Sequence, residues 1–133
     1  MSYRGLAYST RVSPQTANRI VDTARGVFNN IIPDVYIFSD HSRGTESGNS
    51  PGFGLSLVAE STTGVLLSAE AAAEVGSGNL PEDVGKDASN ALCEEIRRGG
   101  CIDTSNQALV LLFMALAPED VSKVRFGKLN PYR

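Results

Sequence analysis

Leu6, Tyr8, Thr10 and Val12 alternate along YRGLAYSTRV, a period of two that predicts a strand with those four residues on one face. Ser13 and Pro14 follow as a cap and a first helical residue. Behind them Ala17, Ile20, Val21, Ala24, Val27, Phe28 and Ile31 recur every three or four positions. That spacing predicts an amphipathic helix to about residue 30, stopped by Pro33. DVYIFSD is short and almost continuously apolar, as a central strand would be. Residues 40–52, DHSRGTESGNSPG, have no periodicity and predict a flexible surface loop. FGLSLVAES alternates again, with Phe53, Leu55, Leu57 and Ala59 on one face; TTG turns the chain and VLLSAE returns antiparallel. Strand, helix and three more strands make an α+β unit, a small mixed β-sheet with helices packed on one face.

After a second loop over 71–80, LPEDVGKDASNALCEEIRRGG predicts a helix whose stripe is Val84, Ala88, Ala91, Leu92 and Ile96. Glu82 and Asp83 suit its positive end, Arg97 and Arg98 its negative end, and Gly99 its C-cap. A third helix is expected over about 104–117. Nearly every position after Gln107 is apolar, so burial on all sides is expected. SKVRF predicts a last strand, and GKLNPYR offers Asn130 and Pro131 as the start of a helix that the chain does not complete. A cut helix and an apolar helix in need of cover together suggest part of a larger protein, or one that needs a partner.

At 133 residues, 41% hydrophobic and 20% charged, the chain has the composition of one globular domain. No apolar run reaches the roughly 18 residues of a membrane span, and residues 1–11 lack the apolar block of a secretory signal. Cys93 and Cys101 have neither metal-type nor CxxC spacing and are expected to be reduced, in a cytosolic or nuclear setting. The net charge of −3 argues against a dedicated nucleic-acid binder, but its distribution is uneven. Residues 1–33 carry four Arg and one Asp, 34–95 carry two basic and eleven acidic groups, and 96–133 carry six basic and three acidic groups. A fold that joined the two basic ends would create a positive face.

Candidate chemistry is sparse. In DTSNQ, Thr104 and Gln107 have the spacing of a capping box, and Asp103 places negative charge at the helix start. The same helix mouth is where a small anion would sit, though capping is the simpler explanation. His41 is the single histidine; in a Gly/Ser-rich loop it is expected to be solvated, with no Ser/His/Asp or Cys/His set around it. One His and two separated Cys do not suggest zinc. GNSPGFG lacks the Lys of a P-loop and precedes a strand, so a turn is expected. Arg97, Arg98, Lys123, Arg125 and Lys128 are the best candidates for contacting RNA phosphates or other anions, without interleaved aromatics for base stacking.

RGLAYSTRVSP, SPGFGLSLVAES, LPEDVG and EIRRGGCIDTSNQALVLLFMALAPEDVSKV strongly resemble the eukaryotic, cyclase-like branch of the RNA 3′-terminal phosphate cyclase family. The likeness runs through essentially the whole chain and covers only part of the family's length. It implies that residues 1–98 are the α+β domain inserted into a large domain of repeated α/β units, and that 99–133 are a partial re-entry into that large domain. True cyclases adenylate a histidine with ATP and close a 2′,3′-cyclic phosphate on RNA. Their counterpart of DTSNQ is a tyrosine-leucine-alanine-aspartate-glutamine run lining the nucleotide pocket. By resemblance, Asp103, Thr104, Ser105, Asn106 and Gln107 are a vestigial pocket in which Gln107 alone is cleanly kept. The nucleotidylated histidine is expected around 126–133, where FGKLNPYR has none. The resemblance therefore implies a non-catalytic factor for small-subunit pre-rRNA processing in the nucleus and nucleolus. It would bind a ribosome-assembly GTPase and work beside pre-rRNA and a small nucleolar RNP in the early small-subunit precursor, with no membrane, metal or cofactor. The alternatives are an ATP-dependent RNA 3′-phosphate cyclase, a pre-rRNA endonuclease or a bare interaction module.

Overall fold

A computed structural model describes residues 1–74 and 76–131. The elements are β1 (Ser2–Thr10), α1 (Gln15–Phe28), β2 (Val35–Ser42), a 3-10 helix (Gly44–Ser47), β3 (Gly52–Glu60), β4 (Leu66–Ala72), α2 (Pro81–Arg98) and α3 (Gln107–Leu116). The sheet order is β2-β1-β3-β4. β1 and β2 are parallel, as their connection through α1 requires, and the other pairs are antiparallel. The fold is therefore α+β, with a small mixed sheet covered on one face by α1 and α2.

Tyr3, Ala7, Leu55, Leu57 and Ala59 meet Ile20, Ala24 and Phe28 of α1 and Val84, Ala88 and Leu92 of α2 in one buried core. Tyr3 and Phe28 stack with ring centroids 4.4 Å apart. The two helices approach closely because Gly85 lacks a side chain. A Cβ there would stand 3.0 Å from the carbonyl oxygen of Ile20 and 3.0 Å from Thr23 Cβ. Arg19 forks onto Glu82 with two 2.7 Å hydrogen bonds and clasps α1 to the first turn of α2.

Several expectations change. Leu6 and Tyr8 share a face as expected, and it is the exposed one; Tyr3, Ala7 and Ser9 face the helices. Alternation reveals two faces without saying which is covered, and here small residues admit the helices. β2 is an edge strand, not a central one, and its apolar look comes from Tyr36 and Phe38 on the open face. Asp40 and His41 are not in a loop: β2 continues to Ser42, paired with Tyr8, Ser9 and Thr10 of β1. Ala91 is exposed on α2. SKVRF forms no strand; a single bridge, Ile102 to Phe126, and a 2.8 Å bond from the Cys101 amide to the Arg125 carbonyl stand in its place. Pro131 is not helical, and Tyr132 and Arg133, where a further helix would continue, lie outside the described residues.

The largest correction concerns α3, which is not buried all round. Leu109, Leu111, Leu112, Phe113 and Leu116 are all exposed, and Gln107 is its one buried residue. An apolar surface of this kind promotes association in water. Leu109→Gln, Leu112→Gln and Phe113→Gln together should shift the 133-residue chain toward monomer in light scattering, without changing its melting temperature. An unchanged particle size would show that α3 does not drive association.

Candidate functional site

Past α2, Gly99 and Gly100 carry the chain through positive φ, +71° and +85°. Gly100 then packs directly on Gly127, where neither backbone could tolerate a Cβ on the other. This crossing brings residues 101–107 between the β4 edge and the strap of residues 125–131.

Asp103 is the centre of the region and is 4% exposed. Its Oδ2 accepts from the Ser68 amide and the Ser68 hydroxyl, both at 3.0 Å. Its Oδ1 accepts from the Ser105 hydroxyl at 3.0 Å, the Asn106 amide at 3.1 Å and Asn106 Nδ2 at 2.7 Å. Burial alone would raise the Asp103 pKa. The Ser68 amide and hydroxyl, then Asn106 and Ser105, outweigh it and hold the carboxyl below its ordinary value of 3.8.

The expected capping box is not formed. Asn106 occupies the N-cap position without a side-chain cap bond. Thr104 instead gives its amide to Glu95 Oε2 at 3.0 Å and its hydroxyl to Glu95 Oε1. Gln107, also 4% exposed, turns away from the helix start. Its Nε2 donates to the Lys128 carbonyl at 3.1 Å and its Oε1 accepts from the Asn130 amide at 2.9 Å. All five side chains of 103–107 are thus brought together: Asp103, Thr104 and Gln107 hold distant parts of the chain, and the exposed Ser105 and Asn106 bond to Asp103. Ser68 and Glu95 were not readable as their partners, being 35 and 9 residues away with no motif linking them.

Two open hollows flank the strap and share Leu129, Asn130 and Pro131. One, of about 360 Å³, is lined also by Thr104, Gln107 and Leu111. The other, of about 480 Å³, is lined also by Arg98 and Lys128. Of the five basic candidates, Arg98 and Lys128 line this hollow together. Arg97 forks onto Glu94 at 2.7 and 2.6 Å, and that pairing, helped by Arg98, holds the Glu94 carboxyl down to about 2. Arg98 reaches Glu94 at 3.2 Å and Glu95 at 3.9 Å. Lys123 and Arg125 are exposed and, among the described residues, make no ion pair. His41 lies in β2 with Nδ1 2.9 Å from the hydroxyl of Ser9, a residue only 1% exposed. It is fixed in the sheet and remote in sequence from the 103–107 region.

Residues 1–97 match the family model described as RNA 3′-terminal phosphate cyclase (RTC), insert domain. The chain belongs to this family. It is 60% identical over 132 residues to the RNA 3′-terminal phosphate cyclase-like protein of Mus musculus. It is 54% identical over 142 residues to a probable RNA 3′-terminal phosphate cyclase-like protein of Dictyostelium discoideum. It is 49% identical over 127 residues to the rRNA processing protein rcl1 of Schizosaccharomyces pombe. These alignments take in 97%, 97% and 96% of the chain but 35%, 38% and 34% of the three relatives. The chain therefore spans about a third of the length of the curated relatives it matches. The matched insert domain takes in β1 to β4, α1 and nearly all of α2, while the residues that hold Asp103 and α3 in place straddle its end.

Proposed function

We propose that the chain is part of a non-catalytic factor for small-subunit pre-rRNA processing. It works in the nucleolar pre-ribosome, in contact with pre-rRNA and a small nucleolar RNP and bound to a ribosome-assembly GTPase. The printed name of the S. pombe relative supports the processing role. One observation carries the non-catalytic part: every polar side chain of 103–107 has an internal partner. To bind the polar groups of a nucleotide, Asp103, Thr104 and Gln107 would have to give up bonds to Ser68 of β4, Glu95 of α2 and the 128–130 backbone. In this reading the region is a structural tie, and the hollow beside Thr104 and Gln107 is lined by side chains already bonded within the chain.

The processing role is tested by exchanging the matching segment of the S. pombe protein for this chain. The expected result is normal growth and normal pre-rRNA cleavage on northern blots. A stably expressed chimera that accumulates uncleaved precursor would count against it.

Contact with RNA should be weak and steeply salt-dependent for the isolated chain, since each phosphate contact to a single strand contributes about 0.7 to the log–log salt slope. Arg98→Ala and Lys128→Ala should lower that slope in fluorescence anisotropy with a labelled RNA. Arg97→Ala should change it least, because Arg97 does not line the hollow that Arg98 and Lys128 share. Equal effects of all three would show that the Arg98–Lys128 hollow is not the contact.

A further inference from the structure

The sheet face that α1 and α2 leave open carries Leu6 and Tyr8 of β1, Tyr36 and Phe38 of β2 and Val58 of β3, placed side by side by the strand register. Tyr36 and Phe38 are 53% and 56% exposed. They nevertheless pack edge to face with centroids 4.5 Å apart, and Tyr8 lies across Gly54, where a Cβ would collide with its ring. The apolar band is therefore ordered, although nothing among the described residues covers it. Its rim is acidic. Asp40 stands beside Tyr8, Glu70 beside Ser56, and Glu60 at the end of β3. All three are exposed, and among the described residues none makes an ion pair. Arg4, the one cation that the register puts on this face, is neutralised by Asp34 through bonds of 2.9 and 3.4 Å.

A sheet apolar on both faces is completed by a layer on each, and a helix lying along the strands is the ordinary second layer. The rim then selects the charge of that helix. Three unpaired carboxylates attract Lys and Arg and repel phosphate, so aromatic exposure here does not favour RNA. α3 of a second copy, QALVLLFMAL, would bring no cation to the rim. We propose that this open face is a docking surface for an amphipathic helix of a partner protein, its apolar side flanked by Lys and Arg.

The test is an NMR titration of the 133-residue chain with a synthetic amphipathic helical peptide of Leu and Lys, its Leu/Glu counterpart and oligouridine. The Leu/Lys peptide should shift amides of β1, β2 and β3 around Leu6, Phe38 and Val58. The Leu/Glu peptide should bind that face at least about tenfold more weakly. Asp40→Asn, Glu60→Gln and Glu70→Gln together should remove the preference between the two peptides. Tyr36→Ser with Phe38→Ser should weaken binding about tenfold while leaving the melting temperature unchanged. Shifts confined to α3, equal binding of both peptides, or shifts of this face by oligouridine would each overturn the proposal.

Discussion

Asp103→Ala should free residues 99–131 from the sheet edge while the unit formed by β1 to β4, α1 and α2 stays folded. The substitution removes the acceptor for five donors and leaves the Ser68 amide on an edge strand without its partner. Bonds to a charged acceptor contribute about 1.5–3 kcal/mol each but are not additive, so a local loss of about 2–4 kcal/mol is expected. Amide hydrogen exchange should report it as protection lost at Ser68 and Asn106 but retained in β1 and β3. Lowering the pH should reproduce the effect. The folded pKa of Asp103 lies below its unfolded value, so its contribution is complete above about 4 and is lost as the pH falls through the folded pKa. Protection at Ser68 that survives Asp103→Ala would show that the tie is held elsewhere.

Phe28→Ala should have the largest effect on global stability. The ring is fully buried at the end of α1, stacked on Tyr3 beneath the sheet. Truncating a buried Phe costs about 3–5 kcal/mol through lost transfer energy and the cavity left behind. The melting temperature should fall by roughly 10 °C or more for a chain of this size. Leu6→Ala, on the open face of the same strand pair, should cost less than about 1 kcal/mol. Equal costs at the two positions would mean that the open face is covered in solution.

The contrast between Phe28 and Leu6 marks what a local pattern reveals. The periods that predict α1, α2, β1, β3 and β4 are properties of a few neighbouring residues, and these elements appear where their periods place them. Which face is covered depends on partners far along the chain, and periodicity is blind to it. For that reason the alternation put Leu6 and Tyr8 on one face without showing that the other, with Tyr3 and Ala7, is the buried one. His41 looked like a loop residue because Gly and Ser surround it, yet pairing with Ser9 extends β2 through it. α3 shows the reverse case: its composition demands burial, and nothing in the described chain supplies it.

The candidate site was visible as residues and hidden as geometry. DTSNQ stood out because polar residues introduce an apolar helix, and the Thr104–Gln107 spacing fits a capping box. Glu95 defeats that box by offering Thr104 two acceptor oxygens, which frees Gln107 to hold the 128–130 backbone instead. Asp103 was expected to contribute charge at a helix end. It contributes a buried carboxylate whose most distant partner, Ser68, sits on β4.

The non-catalytic role is best challenged with the full-length protein that carries this chain, incubated with ATP labelled in the α-phosphate, then denatured and treated with acid. Covalent adenylation needs a nucleophile that is unprotonated near neutral pH and in line with the α-phosphate. Lys128 is exposed on the 125–131 strap, and His41 is held in β2 against Ser9. The predicted result is no retained label in the wild-type protein. An acid-labile label on histidine, lost in His41→Ala or in a variant of any other histidine of the full-length protein, would contradict it and restore the cyclase.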